Sequence, residues 1–228
     1  MKLLGIDIET TGLSPDKDSI IEVGAVLWDS ERNKPLIIMN EFVQAGVPIP
    51  PFITDLTGIT QSDLDAYGKS KEAVIAMLKP LIDQADYIVG HNIKDFDAPF
   101  MAKNFGINLP NILDTRVDIK FPKGTKSKAL NVLLGEHEIL NYFPHRAFSD
   151  ALCTLKLLSK YDLTKVISRS TAKTLTIQAV VSYADKDLAK ERGFHWKGDR
   201  KQWLIDLKED EYNPEEYNFK TKVLAKAA

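Results

Sequence analysis

"GIDIETTGL" (5–13) sets two acids, Asp7 and Glu9, inside a run that otherwise reads as a core strand, with Leu3, Leu4, Ile6 and Ile8 around them. On a strand, residues two apart share a face. Asp7 and Glu9 therefore project together, while Ile6 and Ile8 turn the other way into the core. Two carboxylates this close repel, and burial adds to the penalty on their ionisation. Something cationic has to sit between them. No Lys or Arg is adjacent in sequence, so a distant side chain or a divalent metal must serve, and hard cations favour oxygen ligands of this kind. Taken alone, Asp-x-Glu also fits an exposed strand end with two solvated acids, so the rest of the chain decides.

Outward from this strand, Gly12-Leu13-Ser14-Pro15 is a turn signal. "IIEVGAVLW" (20–28) and "LIIMNEF" (36–42) read as two more strands, and the short links predict an antiparallel meander. A Pro-rich loop follows. Residues 70–82 carry Val74, Ile75, Met77, Leu78 and Ile82 at helical spacing, and the Met77–Leu78 stripe is assigned to the core. A short strand covers 87–89, and helices are expected near 98–105, 129–134 and 147–158. Three antiparallel strands followed by alternating helix and strand predict an α/β fold with a mixed sheet.

The 228 residues suffice for one full domain and a small second one. With 44% hydrophobic and 27% charged residues, the balance is that of a soluble globular protein. A net charge of -2 excludes an overall polycation, so an anionic partner would have to be met by local basic patches or bound metal. Cys153 is the single cysteine, which excludes an internal disulfide and fits a reducing compartment. Among leucines on its helix it reads as a small core residue. The N-terminal run is neither a signal peptide nor a membrane span. The expected location is the cytoplasm, with no membrane partner.

Two further segments carry acids. "GHNIKDFDAPFM" (90–101) places Asp95 and Asp97 after a strand, at the start of a helix anchored by Phe100 and Met101. "PHRAFSDALCTLKLL" (144–158) places His145 just before a helix and Asp150 on its first turns, with Leu152, Leu155 and Leu158 facing the core. Acids from separate segments, converging on one pocket, would hold two metals about 3.5–4 Å apart. Such a pair can generate a nucleophile near neutral pH and absorb charge on the leaving oxygen of a phosphodiester. Histidine is the side chain that titrates nearest neutrality, which suits His145 to take a proton from the attacking water. Without Asp150 five residues on, it would read as a surface-loop histidine.

The order Asp-x-Glu-Thr-Thr-Gly, His-Asn-x-x-x-Phe-Asp, His-x-Ala-x-x-Asp resembles the DnaQ-like 3′–5′ exonucleases of the DEDD superfamily, a group that includes the proofreading subunit of bacterial DNA polymerase III and exonuclease X. "IIEVGAV" (20–26) and "LTGIT" (56–60) stand where that family has similar segments, and the match runs from residue 1 to about 160. The resemblance implies a ribonuclease H-like mixed sheet flanked by helices. It also implies two divalent ions, Mg²⁺ or Mn²⁺, held by Asp7, Glu9, Asp97 and Asp150, with His145 as general base. The superfamily's other branch has a Tyr four positions before the last Asp; Arg146 stands there, which indicates the histidine branch. Three residues separate the His-Asn and Phe-Asp pairs where close relatives often have two. Asp95 is thus an alternative to Asp97, although Phe96 and Phe100 favour Asp97.

In relatives an acid at Glu22 braces the site, and a strand-edge glutamate is the other reading. By the same resemblance Thr10, Thr11 and Leu13 would hold and wedge the terminal nucleotide, with Ile59, His91, Asn92 and Phe96 as further substrate contacts or as structural residues. The implied activity is removal of nucleoside 5′-monophosphates from a 3′ end. DNA is favoured over RNA, in repair or proofreading, with a DNA polymerase or another replication or repair protein as partner. An exoribonuclease acting on short RNA and a non-catalytic polymerase-associated adaptor are the alternatives. Lys120, Lys123, Lys126 and Lys128 form a basic loop that is either simply solvated or a guide for the phosphate backbone.

Domain boundaries follow: an exonuclease domain over 1–162, a linker over 163–173 suggested by the polar "TKVISRSTAKT", and a small α+β unit over 174–228. In that unit, 175–183 reads as a strand and 185–192 as a short helix capped by Gly193. "KGDR" (197–200) reads as a turn between two aromatic strands, and the charged tail is expected to fray. Basic residues interleave with Phe194, Trp196 and Trp203. That mixture fits nucleic-acid or partner binding, or simply the needs of a small core.

Overall fold

The computed structural model describes residues 1–122 and 124–224. Lys123, one member of the basic loop, lies outside the described residues. In chain order the elements are β1 (Lys2–Thr10), β2 (Ile20–Asp29), β3 (Lys34–Phe42), α1 (Pro51–Thr57), α2 (Gln61–Tyr67), α3 (Lys71–Gln84), β4 (Tyr87–Gly90) and α4 (Asp97–Phe100). They continue with β5 (Ile112–Asp114), α5 (Thr115–Asp118), α6 (Leu130–Glu136), α7 (Ala147–Leu158), α8 (Leu163–Thr171), β6 (Thr174–Val180), α9 (Lys186–Glu191), β7 (His195–Lys197), β8 (Gln202–Lys208) and β9 (Lys220–Leu224). The chain divides into two compact units, Met1–Ser170 and Thr171–Ala228. Among the described residues no helix is long and apolar enough to cross a membrane.

The first unit is built on a five-stranded sheet in the order β3-β2-β1-β4-β5. β1, β2 and β3 pair antiparallel, as the meander predicts. β4 joins β1 in parallel and β5 joins β4 in parallel, so the sheet is mixed. One face buries Leu4, Ile6 and Ile8 against Val74, Leu78 and Ile82 of α3 and against Phe100 and Met101. The other face buries Leu3, Val26, Val89 and Leu113 against Ala151, Leu155 and Leu158 of α7. Asp7 and Glu9, opposite in phase to Ile6 and Ile8, belong to the α7 face.

Two glycines let α7 come down on that face. A Cβ on Gly5 would lie 2.6 Å from Leu155 Cδ1, and one on Gly24 would lie 2.2 Å from the Ala147 carbonyl carbon. Gly24 is the cross-strand partner of Asp7. The first turn of α7 therefore sits directly beside the β1 carboxylates.

Several elements differ from expectation. The Pro-rich loop contains α1, with Pro at its first turn, and α2, whose Thr60–Asp63 capping box supplies both reciprocal bonds. Met77 is 41% exposed while Leu78 is fully buried, so the helical stripe is narrower than the Met77–Leu78 pairing implies. The expected linker is mostly α8. Leu163, Val166 and Ile167 pack into the α7-side core, and the Arg169 guanidinium donates to the carbonyls of Val117 and Asp118.

The second unit is a four-stranded antiparallel sheet in the order β7-β8-β6-β9. Ile177, Ala179, Ala189 and Phe194 form its core. Gly193 closes α9 with φ of 82°. The charged tail does not fray over its described part: Lys220–Leu224 pairs with β6. Its alternating lysines are those of an edge strand that must stay unpaired on its outer side.

Candidate active site

The end of β1 presents Asp7 and Glu9, and a register shift between Glu9 and Thr10 ends the regular pairing there. Asp150 comes from the first turns of α7. One oxygen each from Asp7, Glu9 and Asp150 lie within 4.8 Å of one another. Asp97, the first residue of α4, is 3% exposed. It accepts a hydrogen bond from the Ile8 N–H at 3.1 Å, which ties it to the same strand end. Asp95 is exposed. The sequence alternative thus resolves in space: Asp97 faces β1 and Asp95 faces solvent.

The electrostatics follow from burial and crowding. Burial, then the Asp97, Glu9 and Asp150 charges, hold the Asp7 carboxyl well above the usual carboxylate range. Burial, then Asp150, Glu22 and Asp97, push Glu9 up to about 8. Asp97 is raised to about 7 by burial, against the opposing pull of two backbone N–H groups. Burial also raises Asp150, partly offset by bonds from Asn141 and from the His145 N–H.

Arg146 lowers Glu9, but its guanidinium is bound to Glu22. Nε donates to both Glu22 oxygens at 3.1 and 3.2 Å, and Nη2 donates to Oε1 at 2.6 Å. The Ala147 N–H and Asn40 Nδ2 complete the set around Glu22. The four pocket acids therefore form a set of hard oxygen donors whose mutual repulsion the protein offsets only in part. A divalent cation fits such a set, and Asp7, Glu9, Asp97 and Asp150 are the residues that would hold it.

His145 stands at φ of 60°, and its N–H donates to Asp150 Oδ2 at 3.2 Å. Asn141 Nδ2 donates to Asp150 Oδ1 at 2.5 Å, so both Asp150 oxygens are oriented by the loop before α7. Asn141 is a site residue that sequence reasoning missed. It lies outside the His-x-Ala-x-x-Asp spacing and gives no local signal.

The remaining expected residues divide. Thr10 and Thr11 are buried and bond within their own turn: Thr10 Oγ1 donates to the Gly12 carbonyl, and Thr11 Oγ1 accepts from the Ser19 N–H. Leu13, in that same turn, is 85% exposed. Ile59 is buried with Ile21, Ile53 and Leu64, and the half-buried Phe96 packs against Phe100 with ring centroids 5.1 Å apart and planes inclined by 47°.

His91 bridges Thr115 Oγ1 and the Lys128 carbonyl. Asn92 accepts from Arg116 through its side chain and donates its N–H to Asp114. These contacts hold the turn that delivers Asp97. Asp114 and Asp118 extend the same scaffold: Asp114 accepts from the N–H groups of Asn92 and Lys94, and Asp118 from Lys94 Nζ. Neither was singled out in sequence. Lys126 and Lys128 are exposed, and Cys153 is buried with Leu133, Leu134 and Leu157.

A mixed five-stranded sheet with carboxylates gathered at one strand end defines a ribonuclease H-like α/β domain with a metal-type pocket. Residues 4–158 match the family model described as exonuclease, and the chain belongs to that family. Residues 175–222 match a domain of unknown function. The chain is 32% identical over 195 residues to a PolC-type DNA polymerase III of Caldanaerobacter subterraneus, covering 83% of this chain and 13% of that protein. It is 33% identical over 161 residues to a 3′-5′ exonuclease DinG of Staphylococcus haemolyticus, covering 68% and 17%. It therefore spans less than a fifth of these relatives' length.

Among solved structures, the zinc-bound form of E. coli exonuclease I with single-stranded DNA gives a TM-score of 0.63 at 19% identity, over 78% of this chain and 47% of that one. A second exonuclease I structure gives 0.66 at 18% identity, over 91% and 62%. At that identity the likeness shows the shared fold.

Proposed function

We propose that the chain is a metal-dependent 3′–5′ exonuclease that removes nucleoside 5′-monophosphates from the 3′ end of DNA, in repair or proofreading. The carrying observation is the oxygen cluster of Asp7, Glu9 and Asp150, with Asp97 beside it, in a pocket where burial and repulsion make ionisation of the carboxyls costly. A chain gains nothing structurally from four such acids. They become compatible as anions once divalent ions, Mg²⁺ or Mn²⁺, share the pocket.

Such ions, when bound, activate a water and take up charge on the leaving oxygen. Asp7, Glu9, Asp97 and Asp150 would hold them. His145 accepts the proton of the attacking water at its imidazole. Asn141 and the His145 N–H fix the orientation of Asp150. Leu13, exposed beside the β1 end, offers an apolar face to the terminal base. Lys126 and Lys128 approach the phosphate backbone. The names of the relatives, a 3′-5′ exonuclease and a PolC-type polymerase, support the polarity and a polymerase as partner. The fold shared with a single-strand-bound exonuclease supports DNA.

A digestion panel tests this reading: 3′- and 5′-labelled DNA and RNA, single- and double-stranded, with and without Mg²⁺ or Mn²⁺. The 3′ label of single-stranded DNA should leave first, and only with metal. Preferential loss from RNA would make the enzyme an exoribonuclease. No hydrolysis of any substrate would contradict the enzyme and leave a non-catalytic adaptor.

A further inference from the structure

The second unit carries a concave site on its surface. Trp196 and Trp203 are cross-strand partners on β7 and β8, with ring centroids 5.7 Å apart and planes inclined by 57°. With Tyr183, Lys186, Asp187 and Lys190 they line a cavity of about 360 Å³. Trp196 is 52% exposed and Tyr183 is 84% exposed. The buried core of the unit is Ile177, Ala179, Ala189 and Phe194, with Trp203 packed against it, and it uses neither Trp196 nor Tyr183. Two large aromatic faces left in water around one hollow are a mark of a binding surface, since scattered single exposures are what folding alone leaves.

The cations around the hollow say what it binds. Lys186 and Lys190 are four residues apart on α9 and so share one side of it. The Lys186 ammonium stands 4.2 Å from the Tyr183 ring centroid, a cation–π contact that keeps the charge against the aromatic wall. An aliphatic peptide side chain would use the aromatics and leave the ammoniums idle. A free phosphate would do the reverse. A ligand that joins a flat π-system to an anion uses both.

We propose that this cavity binds an unpaired nucleotide of single-stranded nucleic acid, its base stacked on Trp196 and its phosphate held by Lys186 and Lys190. Every base has a π-face, so such a site takes any sequence. The inference does not depend on the hydrolytic reading of the first unit.

The test uses the full chain in EDTA and a closed circular single-stranded oligonucleotide, which offers no 3′ end. Binding should quench tryptophan emission. Trp196→Ala and Tyr183→Ala should each weaken it roughly 5- to 150-fold, the range that stacking of one base spans. Lys186→Gln with Lys190→Gln, which removes the grip on one phosphate, should flatten the log–log salt dependence by about 0.7. Hydrolysis of a dinucleotide in Mg²⁺ should be unchanged in Trp196→Ala. An absence of quenching, or equal affinity and salt slope in all variants, would overturn the proposal and leave the hollow as a protein-docking face. Loss of dinucleotide hydrolysis in the parent chain would count against the first unit and leave this result standing.

Discussion

Glu9 and Glu22 stand directly opposite each other on adjacent strands, and the protein treats them in opposite ways. Glu22, with no exposure, is gripped through two oxygens by Arg146 and further bonded by the Ala147 N–H and Asn40. Glu9 has no such clamp, and burial with Asp150, Glu22 and Asp97 raises it to about 8. A like pair at a cross-strand position is unfavourable. Arg146 clamps one member and acts on the other only from a distance. Glu22 secures the N-terminus of α7, and on the proposed reading Glu9, with Asp7, Asp97 and Asp150, would hold a metal ion.

That contrast can be broken by substitution. Asp7→Asn should lower hydrolysis of a labelled oligonucleotide by at least about 10³-fold, because several kcal/mol of charge stabilisation depend on the metal set. Its melting temperature in EDTA should hold or rise, since a buried carboxyl that ionises only at a cost is replaced by a neutral amide. Glu22→Gln should do the reverse in emphasis, costing roughly 3 kcal/mol of stability by chemical denaturation, as expected for a broken buried pair whose Arg146 is about a third exposed. An Asp7→Asn chain that unfolds, or a Glu22→Gln chain as stable as its parent, would erase the distinction.

Smaller effects sharpen it. Asn141→Ala should reduce metal affinity and turnover about 10- to 100-fold, the usual consequence of freeing a ligand from its orienting bond. Without metal, Glu9 and Asp97 keep their protons up to about pH 8 and about pH 7 in the folded chain, whereas unfolded carboxyls release theirs near pH 4. The unfolded state is thus favoured as pH rises through that window. Stability in EDTA should be greatest below about pH 4 as far as these groups contribute, fall toward pH 8 and level off above. Thermal melts across that range check the sign, and Mg²⁺ should recover more stability at pH 8 than at pH 5. Lys126→Gln and Lys128→Gln should each raise KM only a few-fold and reduce the salt slope by about 1.

Much of the first unit is legible because its signals are local. Alternation at the end of β1, the near-continuous apolar run of β2, the helical stripe of α3, and three spaced motifs are all contained within windows of a dozen residues. The Glu22–Arg146 clamp is not, because its partners are 124 positions apart and neither motif names the other. Asn141 is silent for the same reason. α1 and α2 were obscured by proline and glycine, although Pro at a first turn and Thr60 with Asp63 are start signals that composition outweighed. α8 reads as polar because its buried arginine is satisfied by the carbonyls of Val117 and Asp118, a context no window contains. β9 hides behind lysines that an edge strand carries for solubility.

The pocket's need for a cation can be measured without any substrate. Titrating the metal-free chain with Mn²⁺ by calorimetry near pH 7, in two buffers of different ionisation enthalpy, reads both uptake and the protons displaced. Saturable binding with net proton release, abolished in Asp7→Asn and kept in a folded Glu22→Gln chain, is the predicted result. No binding, or binding that liberates no protons, would contradict it.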